Sequence, residues 1–202
     1  MGDTKTAWHL RYAGCFGAEV NAGCGTRSAE SRKLLFVISA PNVYIALGSN
    51  LGDSIGLLNR AMARLQEFSD QPLLKSSLWQ TTPVDCPPGS PMFANAAVSL
   101  IPRPEETPES LLEKLQGLER EFGRQPKLVS NESRPLDLDL IAFGMQTRST
   151  PQLTLPHSRA HQRRFVLQPL SELAPELILP GQTKPVRELL SALDTDELLR
   201  RL

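Results

Sequence analysis

An α+β sandwich, an antiparallel sheet with helices on one face and mobile loops over the other, is the fold class this 202-residue sequence predicts. Three observations point to it. A short apolar run of β-branched and aromatic flavour at 43–47 and strand-like, alternating segments at 93–101 and 134–140 read as strands. Two longer segments, 55–68 and 108–122, instead space their apolar residues by three and four, as amphipathic helices do. Clusters of proline, glycine and polar residues separate these runs, so each reads as a distinct element.

Order begins at Val43. The first run stops at Gly48-Ser49-Asn50-Leu51-Gly52-Asp53, a turn cluster that finishes in a helix-capping aspartate. Ile55, Leu58, Met62, Leu65 and Phe68 then share one helical stripe. Residues 73–80 form a second strand and 93–101 a third, with Phe93, Asn95, Ala97 and Ser99 on one face. Between them, the 81–92 loop holds Pro83, Pro87, Pro88 and Pro91; it cannot pair as a central strand, and its stiffness suits a binding wall. The second helix starts at Pro108, carries Leu111, Leu112, Leu115, Leu118 and Phe122 on a stripe, and ends at Gly123. A polar loop, 124–133, leads into the last strand. The order βα, β, β, α, β is the split βαβ, ferredoxin-like arrangement, with both helices on one face of the sheet. The other face is left for a ligand, under the 81–92 and 124–133 loops. A short strand pair (146–150 and 153–155), a basic segment (156–165) and a Leu- and Pro-rich tail complete a domain over 42–202. Residues 1–41 show no periodicity and read as an extension, either poorly ordered or a start assigned too early; 34–39 either adds an edge strand or drapes on the surface.

Lys plus Arg and Asp plus Glu each total 22, so no global field favours nucleic acid or an acidic membrane, and any anion site must be local. No apolar run approaches the roughly 20 residues of a membrane span. The beginning of the chain lacks the apolar core of a secretory signal, and Asp3, Glu19 and Glu30 disfavour an organellar transit peptide. Cys15, Cys24 and Cys86 lack the spacing of a zinc or redox motif. A soluble, monomeric, cytoplasmic protein is expected.

Function is most legible in Arg134-Pro135-Leu136-Asp137-Leu138-Asp139-Leu140. Alternation along a strand sends the leucines into a core and places Asp137 and Asp139 on one face, about 7 Å apart. Their repulsion is relieved by a divalent cation, and few, hard oxygen ligands suit Mg²⁺ shared with phosphates. A half-exposed strand with polar residues outward would look the same. Two basic sets flank the pair: Arg124, Lys127 and Arg134 before it, and Arg159, Arg163 and Arg164 with His157 and His161 after it. Arginine forks with a carboxylate-held cation are what a nucleoside triphosphate requires. Neither a P-loop nor a dinucleotide-binding glycine motif occurs. Phe93 and Asn95, sharing a strand face, could stack on a flat heterocycle and read its polar edge.

Five motifs, 44–52, Thr82-Pro83-Val84, 93–98, 134–141 and Leu155-Pro156-His157 with Arg163 and Phe165, together resemble the 6-hydroxymethyl-7,8-dihydropterin pyrophosphokinases of folate biosynthesis. The resemblance spans about 43–190. It implies a ferredoxin-like fold and transfer of the β,γ-diphosphate of ATP to the hydroxymethyl group of a reduced pterin, with release of AMP. It further implies that Asp137 and Asp139 hold two Mg²⁺ ions. Phe93 and Asn95 would bind the pterin beside Gly48, Phe165 would stack on its other face, and the backbone of Thr81, Thr82 and Val84 would read its edge. Arg124, Arg134, His157 and Arg163 would contact phosphates, with Lys127, Gln116 and Glu119 near the nucleotide. No side chain stands out as a general base. Where the family carries Arg-Trp-Gly-Pro-Arg, this chain has Ser130-Asn131-Glu132-Ser133-Arg134; Ser158 stands in place of a tyrosine and Pro126 in place of an arginine. These departures leave open an alternative, a non-catalytic or weakly active pterin- and nucleotide-binding relative.

Overall fold

Strand β1 (Val43–Ser49) is buried along its whole length, because it pairs on both sides and is covered on both faces. In this computed structural model, which describes residues 42–126 and 132–202, β1 runs antiparallel to β4 (Phe93–Leu100) and to β5 (Asp137–Phe143). On its far side β4 pairs with β2 (Leu74–Lys75) and β3 (Trp79–Thr81), and β8 (Leu199–Arg201) closes the sheet against β3. The path through the sheet is β5-β1-β4-β3-β8. The expected strand over 73–80 is thus two pieces. Ser76, between them, takes over part of the ladder: its N–H donates to the Ala97 carbonyl (3.0 Å), and its Oγ accepts from the Ala97 N–H (2.9 Å). The expected strand pair after Gly144 forms as β6 (Arg148–Ser149) and β7 (Thr154–Leu155). The 1–41 extension, its 34–39 segment and Lys127 lie outside the described residues.

Helix α1 (Ser54–Leu65) starts where Asp53 accepts a hydrogen bond from the Gly56 N–H at 3.0 Å, and it tightens into a 3₁₀ turn over Gln66–Phe68. Helix α2 (Pro108–Glu121) starts with Thr107 and Ser110 exchanging side-chain and backbone bonds in a capping box, with proline in the first turn. Both bury their leucine stripes on one face of the sheet. Leu58, Met62, Leu65, Leu111, Leu115 and Leu118 meet Val43, Ile45 and Leu47 of β1 and Leu138 and Leu140 of β5. Each such leucine stabilises the fold by about 1.5–3 kcal/mol through removal of apolar surface from water.

The tail does more than the sequence suggested. It folds into α3 (Arg164–Leu173) and α4 (Val186–Ser191), whose Val166, Leu167, Leu170 and Val186 pack on Tyr44, Ala46, Ile141 and Ala142, from the opposite face of the sheet. A register shift assists: Tyr44 pairs with Ala142 but Ile45 with Leu140, so Ile141 is an extra residue and both Ile141 and Ala142 reach this second core. The face opposite α1 and α2 is therefore covered at its apolar end. At the other end stand Gly48, Asn95, Asp137 and Asp139, and there it opens into a cavity. Among the described residues, no helix is long and apolar enough to cross a membrane.

Candidate active site

Gly48 forms the floor of that cavity, at the end of β1, paired with Asn95 on one side and Asp137 on the other. A Cβ at Gly48 would lie 3.0 Å from Asn95 Oδ1 and 3.9 Å from the Phe93 ring, so glycine keeps this space free for a ligand. Strand alternation turns Phe93 and Asn95 to the same face, and the amide of Asn95 donates to Thr81 Oγ1 on β3 at 2.7 Å. That bond leaves the carbonyl end of Asn95 as the acceptor nearest the ligand space. Phe165, in the first turn of α3, supplies a second ring. Guanidinium groups lie over both rings: Arg134 is 5.9 Å from the centre of Phe93, and Arg163 is 5.3 Å from that of Phe165. Thr81, Thr82 and Val84 line the edge. The space is open to solvent on one side, and its lining combines aromatic rings with polar and charged groups, as ligand sites do.

At one side of the cavity stand the carboxylates. Asp137 is held by two forks, Arg124 Nη1 at 2.5 Å from Oδ1 and Arg134 Nη2 at 2.9 Å from Oδ2. Arg124 also pairs with Glu119 of α2, which is buried and accepts the Leu138 N–H at 2.8 Å. Burial pushes the Glu119 carboxyl up, and the Leu138 N–H and Arg124 draw it back. Asp139 differs: it makes no hydrogen bond or ion pair with any described residue. Its pKa is raised by burial and by the charge of Asp137, with His157, Arg163 and Arg134 pulling it down. Burial in turn lowers the pKa of His157, against the pull of Asp139. A carboxylate with no direct partner among the described residues, beside a second carboxylate, is a place where a cation would be favoured. Among the described residues, no group of three or more His, Cys, Asp or Glu forms a metal cage. Two oxygen-donor side chains fit Mg²⁺, which keeps several waters and takes its other ligands from phosphates.

A second cavity, about 630 Å³ and also open to solvent, lies beyond Arg124 and Arg134, walled by Leu51, Gln125, Ser133 and Pro135. Arg134 lines both spaces, while Arg124 lines the second and reaches the first through Asp137. Arg134 owes its position to Asn50, a residue that the sequence assigns only to a turn. Asn50 is buried; its N–H donates to the Arg134 carbonyl (3.2 Å), its Oδ1 accepts the Arg134 N–H (2.9 Å), and its amide reaches Ser133 Oγ (3.2 Å). Asn50→Ala is expected to cost roughly 1–3 kcal/mol of stability, by leaving the Arg134 N–H without its acceptor. Thermal or urea denaturation checks this.

Of the expected residues, Gly48, Thr81, Thr82, Val84, Phe93, Asn95, Arg134, Asp137, Asp139, Arg163 and Phe165 meet around the first cavity. Arg124 joins it through Asp137, and Glu119 sits behind both. His157 lines neither cavity but acts on Asp139 by its charge. Gln116 is exposed on α2 and lines neither. Cys86, incidental by its spacing, lines the first cavity, its thiol donating to the Val84 carbonyl at 3.3 Å.

The profile of the 7,8-dihydro-6-hydroxymethylpterin-pyrophosphokinase (HPPK) family matches residues 44–175. A Haemophilus influenzae protein named 2-amino-4-hydroxy-6-hydroxymethyldihydropteridine pyrophosphokinase is 37% identical over 139 residues, covering 68% of this chain and 84% of its own. A Pseudomonas aeruginosa protein of the same name is 38% identical over 152 residues, 74% of this chain and 90% of its own. Among solved structures, an HPPK-DHPS in complex with substrates superposes with a TM-score of 0.57 at 11% identity, over 76% of this chain and 43% of that one. Wild-type Plasmodium falciparum HPPK-DHPS with pterin and p-hydroxybenzoate gives 0.55 at 13% identity, over the same shares. These two likenesses show the fold, and this chain spans less than half of those longer proteins. With its family match over 44–175 and relatives more than one-third identical across most of their length, the chain belongs to the HPPK family.

Proposed function

We propose that this protein transfers the β,γ-diphosphate of ATP, as one unit, to the hydroxymethyl oxygen of 6-hydroxymethyl-7,8-dihydropterin and releases AMP, with Mg²⁺ bound by Asp137 and Asp139. One observation carries the reading beyond family membership. A single cavity brings two aromatic rings and a carboxamide together with two carboxylates and two arginines. The first group suits a flat, polar-edged heterocycle and the second suits phosphates.

In this reading the pterin lies between Phe93 and Phe165. The Asn95 carbonyl and the backbone of Thr81, Thr82 and Val84 read its edge. The nucleotide occupies the side of Arg124 and Arg134, toward the second cavity, with Arg163 and His157 near the phosphates and Gln116, Glu119 and Lys127 toward the rest of the nucleotide. Asp137 and Asp139 would hold Mg²⁺, which when bound would supply neutralisation of the phosphate charge. Arg124 and Arg134, both on Asp137 in the free protein, would turn to the phosphate oxygens when these arrive, and a cation held by Asp137 would then replace them as its counter-charge. Glu119 keeps Arg124 close as it turns. Phosphoryl transfer through a loose transition state depends on in-line positioning and charge stabilisation, which these residues supply without a strong base.

The described residues around the first cavity all lie between 46 and 165, on one chain. A cytoplasmic monomer is the corresponding reading. Removal of residues 1–41 is expected to leave the rate within about twofold, and a large loss would make the extension part of the enzyme. The direct test incubates the protein with Mg²⁺, ATP and the reduced hydroxymethylpterin and separates the nucleotides. AMP should form in step with pterin consumption and cease on addition of EDTA. Binding of pterin without pterin-dependent AMP would overturn the reading in favour of a non-catalytic binding protein.

A further inference from the structure

We propose that the C-terminal residues 197–202 clamp both walls of the first cavity, and that Glu197 is the positioning residue that holds Arg163 and Phe165 over it. The functional part of this inference rests on the pterin reading given above; the clamp itself does not.

Helix α3 begins with a local defect. Its N-cap is Arg163, which makes no side-chain capping bond, and arginine has no acceptor with which to make one. The first N–H groups of a helix need an acceptor from elsewhere. Glu197 provides it from 33 residues away in the chain. Its Oε2 accepts the Arg164 N–H at 3.1 Å, and its main-chain carbonyl accepts from Arg164 Nη1 at 3.3 Å. The residue is 6% exposed; of its two carboxylate oxygens, Oε2 makes this contact and Oε1 is buried with no hydrogen bond to a described residue. Burial pushes its pKa up, and the N–H groups of Phe165 and Arg164, with the charges of Arg164 and Arg163, draw it only part of the way back.

The same segment then takes hold of the opposite wall. Leu198 accepts the Thr82 N–H and donates its own N–H to Thr82 Oγ1, both at 3.2 Å. Leu199 and Arg201 follow as β8, paired with Thr81 and Trp79. Within three residues the chain thus fixes the helix turn that carries Phe165 and the strand end that carries Thr81 and Thr82. The rest of α3 is secured independently. Val166, Leu167 and Leu170 are buried, and Glu172 accepts from Trp79 Nε1 and from the Ser77 N–H, both at 2.8 Å. Loss of Glu197 should therefore loosen the first turn alone. Glutamine keeps the acceptor and should keep the turn.

The test compares wild type, Glu197→Ala and Glu197→Gln in the full chain by two readouts: amide hydrogen exchange without ligand, and pterin affinity with the kcat and KM of AMP release. In Glu197→Ala the amides of 164–167 should exchange about tenfold faster, with the remainder of α3 unchanged. Its pterin KM should rise roughly five- to tenfold, with kcat within about twofold, and Glu197→Gln should restore both readouts. Unchanged exchange in Glu197→Ala overturns the clamp. Faster exchange along all of α3 and β1, with kcat and KM both impaired, overturns local positioning in favour of general stability. Loosened 164–167 amides with an unaltered pterin KM overturn the role in binding. A wild-type protein that takes up no pterin refutes the substrate reading, while the exchange pattern still decides the clamp.

Discussion

Replacing Asp139 with alanine is expected to reduce pterin-dependent AMP release by at least about 10³-fold, because it removes one of two carboxylates on which phosphate neutralisation depends. Stability should move in the other direction. Asp139 makes no hydrogen bond or ion pair with a described residue, and it is penalised by burial and by Asp137. Its loss relieves repulsion and removes no bond, so the melting temperature should stay level or rise. Asp137→Ala should lose as much activity for a different structural reason. Arg124 and Arg134 both rest on Asp137, so its removal leaves two partly buried guanidinium groups short of a partner and lowers stability. Thermal melts and AMP assays on the two variants separate a metal-binding role from a structural one. Near-normal turnover in either would refute the metal assignment.

Asn95→Ala should raise the pterin KM by about 10²-fold and leave the KM for ATP nearly unchanged. A site built to hydrogen-bond a heterocycle loses more than one bond when the carboxamide goes, because buried partners are left without it. Here the Thr81 hydroxyl is such a partner, 2.7 Å from the Asn95 amide and itself buried. Steady-state kinetics with each substrate varied in turn tests this. Equal increases in both KM values would mean that Asn95 supports the sheet and does not read the pterin.

Most of the first half of the fold was legible because its elements are strongly periodic. Alternation at 93–99 paired Phe93 with Asn95, and at 137–140 Asp137 with Asp139; the structure brings both pairs onto one face of the sheet. The three-and-four spacing likewise placed α1 and α2 on the other. Helix α3 was not legible, because Pro169 falls inside it and proline reads as a helix breaker. With α3 unread, the cover over the apolar end of the second face went unread too. Asn50 was missed for a different reason: its partners Ser133 and Arg134 are more than 80 residues away, and no local pattern records such a bond. Glu197 is the same case, one acidic residue among several in a Leu- and Pro-rich tail until the fold brings it to Arg164. The paired grip of Arg124 and Arg134 on Asp137 also needed the folded chain, although both arginines were candidates from the sequence.

The most direct measurement follows the label from ATP marked separately at its β and γ phosphates, incubated with Mg²⁺ and the reduced hydroxymethylpterin. Both labels should appear together in the pterin product, with unlabelled AMP as the other product. Transfer of the γ label alone, with β-labelled ADP left behind, would contradict diphosphate transfer at this site.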